Sequence, residues 1–123
     1  FAETMEFARR VGFLATHVFK YSKRAGTPAA KMPDQVPEEI KHARSQALIA
    51  LSAESTAHCL AEILAAHPTE TVLFEQKIGG LWSGHTAALA EVRAASDADL
   101  HGELRKVRLD KIEDGYIRAD FNL

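Results

Sequence analysis

Cysteine is almost missing from this chain: Cys59 is the single one in 123 residues. No disulfide can form within the chain, and a Cys-rich zinc site is excluded. Cys59 lies between His58 and Leu60 in a helical pattern, where a thiol reads as a small buried hydrophobe rather than a nucleophile. No apolar run approaches the roughly 18 residues that a bilayer crossing needs, and no signal peptide opens the chain. The expectation is a cytoplasmic protein with no membrane partner. An excess of either charge is also missing. Fifteen Lys and Arg stand against seventeen Asp and Glu, a net charge of −2. Residues 1–67 hold eight basic and seven acidic side chains, and residues 68–123 hold seven and ten. A nucleic-acid reading must therefore rest on a local patch. No Walker-type lysine spacing, nucleophile–base pair or paired-acid arrangement is present.

What is there suits a globular domain: 46% apolar and 26% charged residues. The chain opens on Phe1 rather than Met, with Glu3 to Val11 already helical in pattern, so a piece of a longer protein is expected. Met5, Phe7, Ala8 and Val11 share a side, and Gly12 stands where a C-cap glycine belongs. LATHVFKY, residues 14–21, is β-branched and aromatic and reads as a strand buried on both faces, with His17 a hydrogen-bonded core histidine. Helix, glycine and strand form one step of a parallel α/β fold, which cannot bury itself. The rest of its sheet is expected elsewhere.

SKRAGTPAAKMPDQ is loop, since Pro28, Pro33 and Pro37 each forbid a continuous helix. Pro37 then opens a helix to about Ala66, with Glu38 and Glu39 in its first turn. Ile40, Ala43, Ala47, Ala50, Ala57 and Leu64 make a shallow apolar stripe expected to pack closely. After His67-Pro68 the period changes from helical to alternating. Residues 71–76, 81–87, 89–94, 101–112 and 116–121 read as five short strands, with KIGG (77–80), ASDADL (95–100) and EDG (113–115) as turns. The fold class is α+β: a helix–strand remnant over 1–36, a linker helix over 37–67, and an OB-like five-stranded antiparallel barrel over 68–123.

Two places concentrate chemistry. Ser22, Lys23, Arg24, Gly26 and Thr27 combine a turn, a guanidinium fork and hydroxyls that suit an anion, against the reading of a solvated connector. In the barrel, alternation puts Lys106 and Arg108 on one face of a strand and Val107 and Leu109 on the other. Lys77, Arg93, Arg105, Arg118 and His85 are further phosphate donors, and Trp82 and His85 are candidates to stack on bases. The competing reading makes Trp82 core and the cations ordinary surface charges. The six histidines, at 17, 42, 58, 67, 85 and 101, include no i,i+4 pair and no HxH, so no metal site is assigned.

Phe19, Tyr21, Ser22, Arg24, Gly26, Thr27, Pro28, Ala29, Ala30, Gln35, Val36 and Pro37 form a run of aromatic, Tyr-Ser, basic, Gly-Thr-Pro-Ala-Ala and Gln-Val-Pro. This run resembles the end of the catalytic domain in the radical-SAM tRNA methylthiotransferases, in the branch acting on N6-threonylcarbamoyladenosine beside the anticodon. Ala25 stands where many members have Pro. VLFEQ, LWSGHTA and HGELRKVRLDKI resemble the family's C-terminal TRAM domain, and Gly84-His85-Thr86 matches its Gly-His-Thr. The resemblance covers nearly the whole chain.

The resemblance implies a parent that holds one 4Fe-4S cluster on a CxxxCxxC motif to cleave S-adenosylmethionine, and a second cluster on three more cysteines. With Cys59 alone this chain holds neither, so it is expected to carry no cofactor and no catalytic residue. It implies that Tyr21, Ser22, Arg24 and Thr27 lie near substrate or cofactor. It also implies that the barrel holds tRNA at the anticodon stem-loop. By strand alternation and side-chain chemistry, Lys106 and Arg108 are the residues expected to bind its phosphates, and Lys77, Arg93 and Arg105 do so more weakly. The remainder of the radical-SAM domain is the other implied partner. A rival reading is a protein–protein interaction module without RNA binding. In it the Ala-rich helix face and the strand 14–21 bury against a partner or a second copy, giving a homodimer through the N-terminal segment.

Overall fold

The computed structural model describes all 123 residues. The chain divides into two compact units, Phe1–Ser55 and Thr56–Leu123.

The first unit begins with helix α1, Ala2–Val11, which ends as its sequence requires. Gly12 adopts φ 66° and donates its N–H to the Ala8 carbonyl, a left-handed cap that a side chain would strain. No residue of α1 is buried. Residues 14–21 do not form the expected strand; they run as irregular backbone, with His17 exposed rather than in a core. A strand needs a neighbour to satisfy its N–H and C=O groups, and none is offered here. Side chains of helix α2, Glu38–Ala66, supply partners instead. Ser52 Oγ accepts from the Thr16 N–H at 3.1 Å, Ser55 Oγ donates to the Phe13 carbonyl at 2.5 Å, and Lys41 Nζ donates to the Tyr21 carbonyl at 3.1 Å.

That pairing decides which side of α2 is covered. The half-buried line in this unit runs through Lys41, Ser45, Leu48 and Ser52, with Leu51 buried. Of the stripe expected from the sequence, Ile40, Ala43, Ala47, Ala50 and Ala57 are exposed and Leu64 is half-buried. Irregular backbone needs donors and acceptors, so the covered face is the semi-polar one. By length and composition α2 is also long and apolar enough to cross a membrane, which corrects the expectation that no segment is.

In the second unit, strands β1 (Thr69–Ile78), β2 (Leu81–Thr86), β3 (Glu91–Ala94), β4 (Glu103–Glu113) and β5 (Tyr116–Asp120) close into a barrel in the order β1-β2-β3-β5-β4. Four pairings are antiparallel, and β3–β5 is parallel. Parity requires this: strands alternating up and down around a ring of odd number must leave one parallel pair. Two hairpins set the register. Gly79-Gly80 and Asp114-Gly115 all take positive φ, the backbone of a tight two-residue turn matched to strand twist. Bulges at Phe74/Gln76 and Leu109/Lys111 bend β1 and β4 so that the sheet closes. Val72, Phe74, Val92, Val107 and Ile117 point inward and are fully buried. Gly84 permits the closest approach: a Cβ there would lie 2.1 Å from the Leu73 carbonyl oxygen.

Candidate nucleic-acid interface

The outward positions of the barrel form rows across the strands. One row joins Leu104, Leu73, His85 and Glu91, carried by β4, β1, β2 and β3. Beside it Lys106 stands opposite Thr71, and Arg108 opposite Thr69. The alternation read from β4 holds, with Lys106 and Arg108 exposed and Val107 and Leu109 buried.

Trp82 is a correction. It points inward with 7% of its surface exposed and offers no face to a base. Inward positions of β2 are every second residue, and Trp82, Gly84 and Thr86 share that parity. Its Nε1 is buried without a hydrogen-bond partner, and Lys77 Nζ sits 5.3 Å from the ring centroid. His85 is exposed, but its Nδ1 lies 2.7 Å from Glu75 Oε2.

Most of the expected phosphate donors already hold a carboxylate. Arg108 Nη2 donates to Asp120 at 2.6 Å, Arg105 Nε to Glu103 at 2.7 Å, and Arg93 Nε to Glu91 at 2.7 Å. The Arg108 hydrogen bond pulls the Asp120 carboxyl below its ordinary range, and the same bond raises Arg108. Burial works against ionised Glu91, yet hydrogen bonds from Arg93 and Ser83 hold it below the usual carboxylate value. Lys106 has no such partner. The exposed pairs of Arg108 and Arg105 are weak, so a phosphate competes for those two cations at small cost, whereas the Arg93–Glu91 pair is part-buried.

Two cations complete a further row. Arg118 of β5 stands in register with Arg93 of β3 on one side and with Lys111 of β4 on the other. Reading single strands missed Lys111, although the signal was present. The Asp114-Gly115 turn pairs Glu113 with Tyr116, and counting outward from it pairs Lys111 with Arg118.

The loop of the first unit is organised around turns. Thr27 caps a short 3-10 turn at Pro28–Lys31, accepting from the Ala30 N–H at 3.3 Å and donating to the Arg24 carbonyl at 2.8 Å. Its hydroxyl is thus spent on backbone. Tyr21 and Ser22 line a shallow polar pocket with Lys20, Lys23, Glu38 and Lys41, while Arg24 is exposed. Hydrogen bonds from Lys20 and then Lys41 lower the Glu38 carboxyl to about 2. These two lysines are therefore committed to a carboxylate, while Lys23 and Arg24, the cations of the expected anion cluster, are exposed.

No family model matches the chain. The tRNA-2-methylthio-N(6)-dimethylallyladenosine synthase of Sorangium cellulosum (strain So ce56) is 36% identical to it over 137 residues, which cover 98% of this chain and 26% of that protein. The threonylcarbamoyladenosine tRNA methylthiotransferase MtaB of Bacillus subtilis (strain 168) is 36% identical over 125 residues, 98% of this chain and 28% of that protein. The chain is homologous to the tRNA methylthiotransferases. The dimethylallyladenosine-type synthase of Maricaulis maris (strain MCS10), 37% identical over 89% of the chain, agrees. The chain spans about a quarter of the length of these methylthiotransferases.

The residues present do not fit an iron–sulfur cluster of the kind that radical-SAM chemistry needs. Cys59 is the single thiol, and no group of three or more His, Cys, Asp or Glu side chains is placed to hold a metal ion. No chemical step runs through such a group in this chain.

Proposed function

We propose that the barrel is the tRNA-holding module of a radical-SAM methylthiotransferase that modifies N6-threonylcarbamoyladenosine near the anticodon in the cytoplasm. The clusters and S-adenosylmethionine belong to the remainder of the parent catalytic domain, and this chain by itself is not catalytic. The observation that carries the reading is homology along nearly the whole chain to enzymes named for tRNA methylthiolation. The run from Phe19 to Pro37 favours the threonylcarbamoyl branch; relatives named for the dimethylallyl substrate match as well, at 36% and 37%.

The barrel supports binding by position rather than by bulk charge. Unpartnered Lys106 and the exchangeable Arg108 pair lie on one face, next to the exposed Leu73 and Leu104. Phosphate contacts of this kind position RNA without reading its sequence. The test is binding of the chain to an anticodon stem-loop at about 50 and about 200 mM salt, beside Lys106→Glu/Arg108→Glu. Binding that weakens with salt and is lost in the folded variant supports the module. No binding at low salt assigns tRNA recognition to other parts of the parent.

A second reading has its own observation. In residues 1–55 the large apolar side chains Phe7, Val11, Phe13, Phe19, Met32 and Ile49 are exposed, Phe19 by 88%. Such a surface suits burial against the remaining catalytic domain or a second copy of the chain. Sedimentation at rising concentration separates the two, because only the second gives a dimer of the chain alone.

A further inference from the structure

The geometry points to a phosphate clamp built by Arg93 and Arg118, with Lys111 as its third cation, on the β3–β5–β4 face of the barrel. The inference rests on the RNA-binding reading and names where the backbone is gripped.

Directly opposed residues on neighbouring strands put their side chains on the same face, roughly 5 Å apart at Cβ. Arg93 and Arg118 are such a pair, as are Arg118 and Lys111. The strand neighbours of the two arginines, Val92, Ala94, Ile117 and Ala119, are buried, so Arg93 and Arg118 face outward, and Lys111, in register with Arg118, is exposed on the same face. Like charges directly opposed are unfavourable unless something negative is shared between them. Carboxylates meet part of that need. Glu91 takes the Arg93 Nε, Glu113 takes Lys111 Nζ at 2.8 Å, and the Asp110 charge acts on Lys111 from the bulge. Arg118 has no carboxylate partner, and its charge reaches Lys111, Glu113 and Tyr116.

The clamp is also pre-organised. The Arg93 guanidinium lies over the Tyr116 ring at 4.1 Å, and Tyr116 donates its hydroxyl to Glu113 Oε2 at 2.8 Å. With Nε bonded to Glu91, the terminal amino groups of Arg93 remain for a ligand. A guanidinium already fixed on an aromatic ring loses little freedom when it binds. Two guanidinium forks side by side match the planar, paired oxygens of a phosphodiester better than a single ammonium does. Lys106 stands five residues before Lys111 on β4, roughly 16 Å of strand away, so the clamp is a separate contact.

The experiment is fluorescence anisotropy of the 123-residue chain with a labelled RNA stem-loop across a salt series. Arg118→Gln is expected to weaken binding about tenfold and to lower the salt slope by about one. Arg118→Lys recovers part of the loss, since it restores charge without the fork. Glu113→Gln frees Lys111 and tightens binding about threefold, a gain that misfolding cannot produce. The charge-matched Glu54→Gln, on α2, leaves binding unchanged. If Arg118→Gln binds like wild type while Lys106→Glu does not bind, the clamp is wrong and the RNA reading stands. If wild type itself fails to bind at about 50 mM salt, both fall.

Discussion

Residues 1–55 and residues 56–123 differ in how they meet the cost of an ordered backbone. The barrel closes its own ladder, so each strand has a neighbour on both sides and a filled interior. The first unit has one long helix, one short helix with nothing buried, and a connecting segment tied down by single side-chain hydrogen bonds. Leu51 is its one buried large hydrophobe. Closure makes a unit self-sufficient, whereas a segment lacking a sheet partner borrows hydroxyls and ammonium groups and leaves its aromatic side chains in water.

The sharpest way to break this comparison is to damage the barrel from within. Phe74→Ala removes a fully buried ring and is expected to cost about 3–5 kcal/mol, read as a lower urea midpoint by Trp82 fluorescence. A smaller loss would mean that the barrel core is loose. Gly84→Ala pushes a methyl into the Leu73 carbonyl, backbone against side chain with no rotamer to relieve it, and should cost about 3 kcal/mol. In the first unit, Ser52→Ala removes the acceptor of the Thr16 N–H. The expected loss is about 1 kcal/mol, seen as faster hydrogen exchange at Thr16 with no change in the barrel's midpoint. Limited chymotrypsin digestion should cut first at Phe19 or Tyr21; first cuts in the barrel would reverse the contrast.

The smallest effect is electrostatic. The folded-state pKa of Glu38 is depressed, so its ion pairs with Lys20 and Lys41 act fully above about pH 4.5 and are lost as the pH falls towards 2. Carboxyl-carbon NMR should show Glu38 titrating near 2, and Lys20→Met should return it towards 4.5. A normal titration in the wild type would mean that the loop and α2 are not held together.

Part of the interface is legible in the amino-acid pattern. The outward parity of Lys106 and Arg108 follows from Val107 and Leu109 alternating with them. The carboxylates that occupy Arg108, Arg105 and Arg93 divide into two cases. Glu103 and Glu91 lie two residues from their arginines and are readable as same-face neighbours. Asp120 meets Arg108 through a cross-strand register that the bulge at Leu109/Lys111 shifts, and no local pattern announces it. Trp82 shows the same limit: either side of β2 accepts an indole, and only barrel closure decides which side becomes core.

Sequence alone determined what local chemistry can determine. Gly12 ended a helix, Pro37 with two glutamates began another, and period-two alternation marked the barrel strands. Glycine-bearing pairs made the two tight hairpins. The tertiary structure decided what depends on partners. Residues 14–21 have the composition of a strand and stay irregular because no strand lies beside them. Arg118 became a neighbour of Arg93 because the closed ring places β5 beside β3, in the one parallel pairing of the barrel. Composition sets what a segment is able to become, and the hydrogen-bonding neighbour it finds sets what it is.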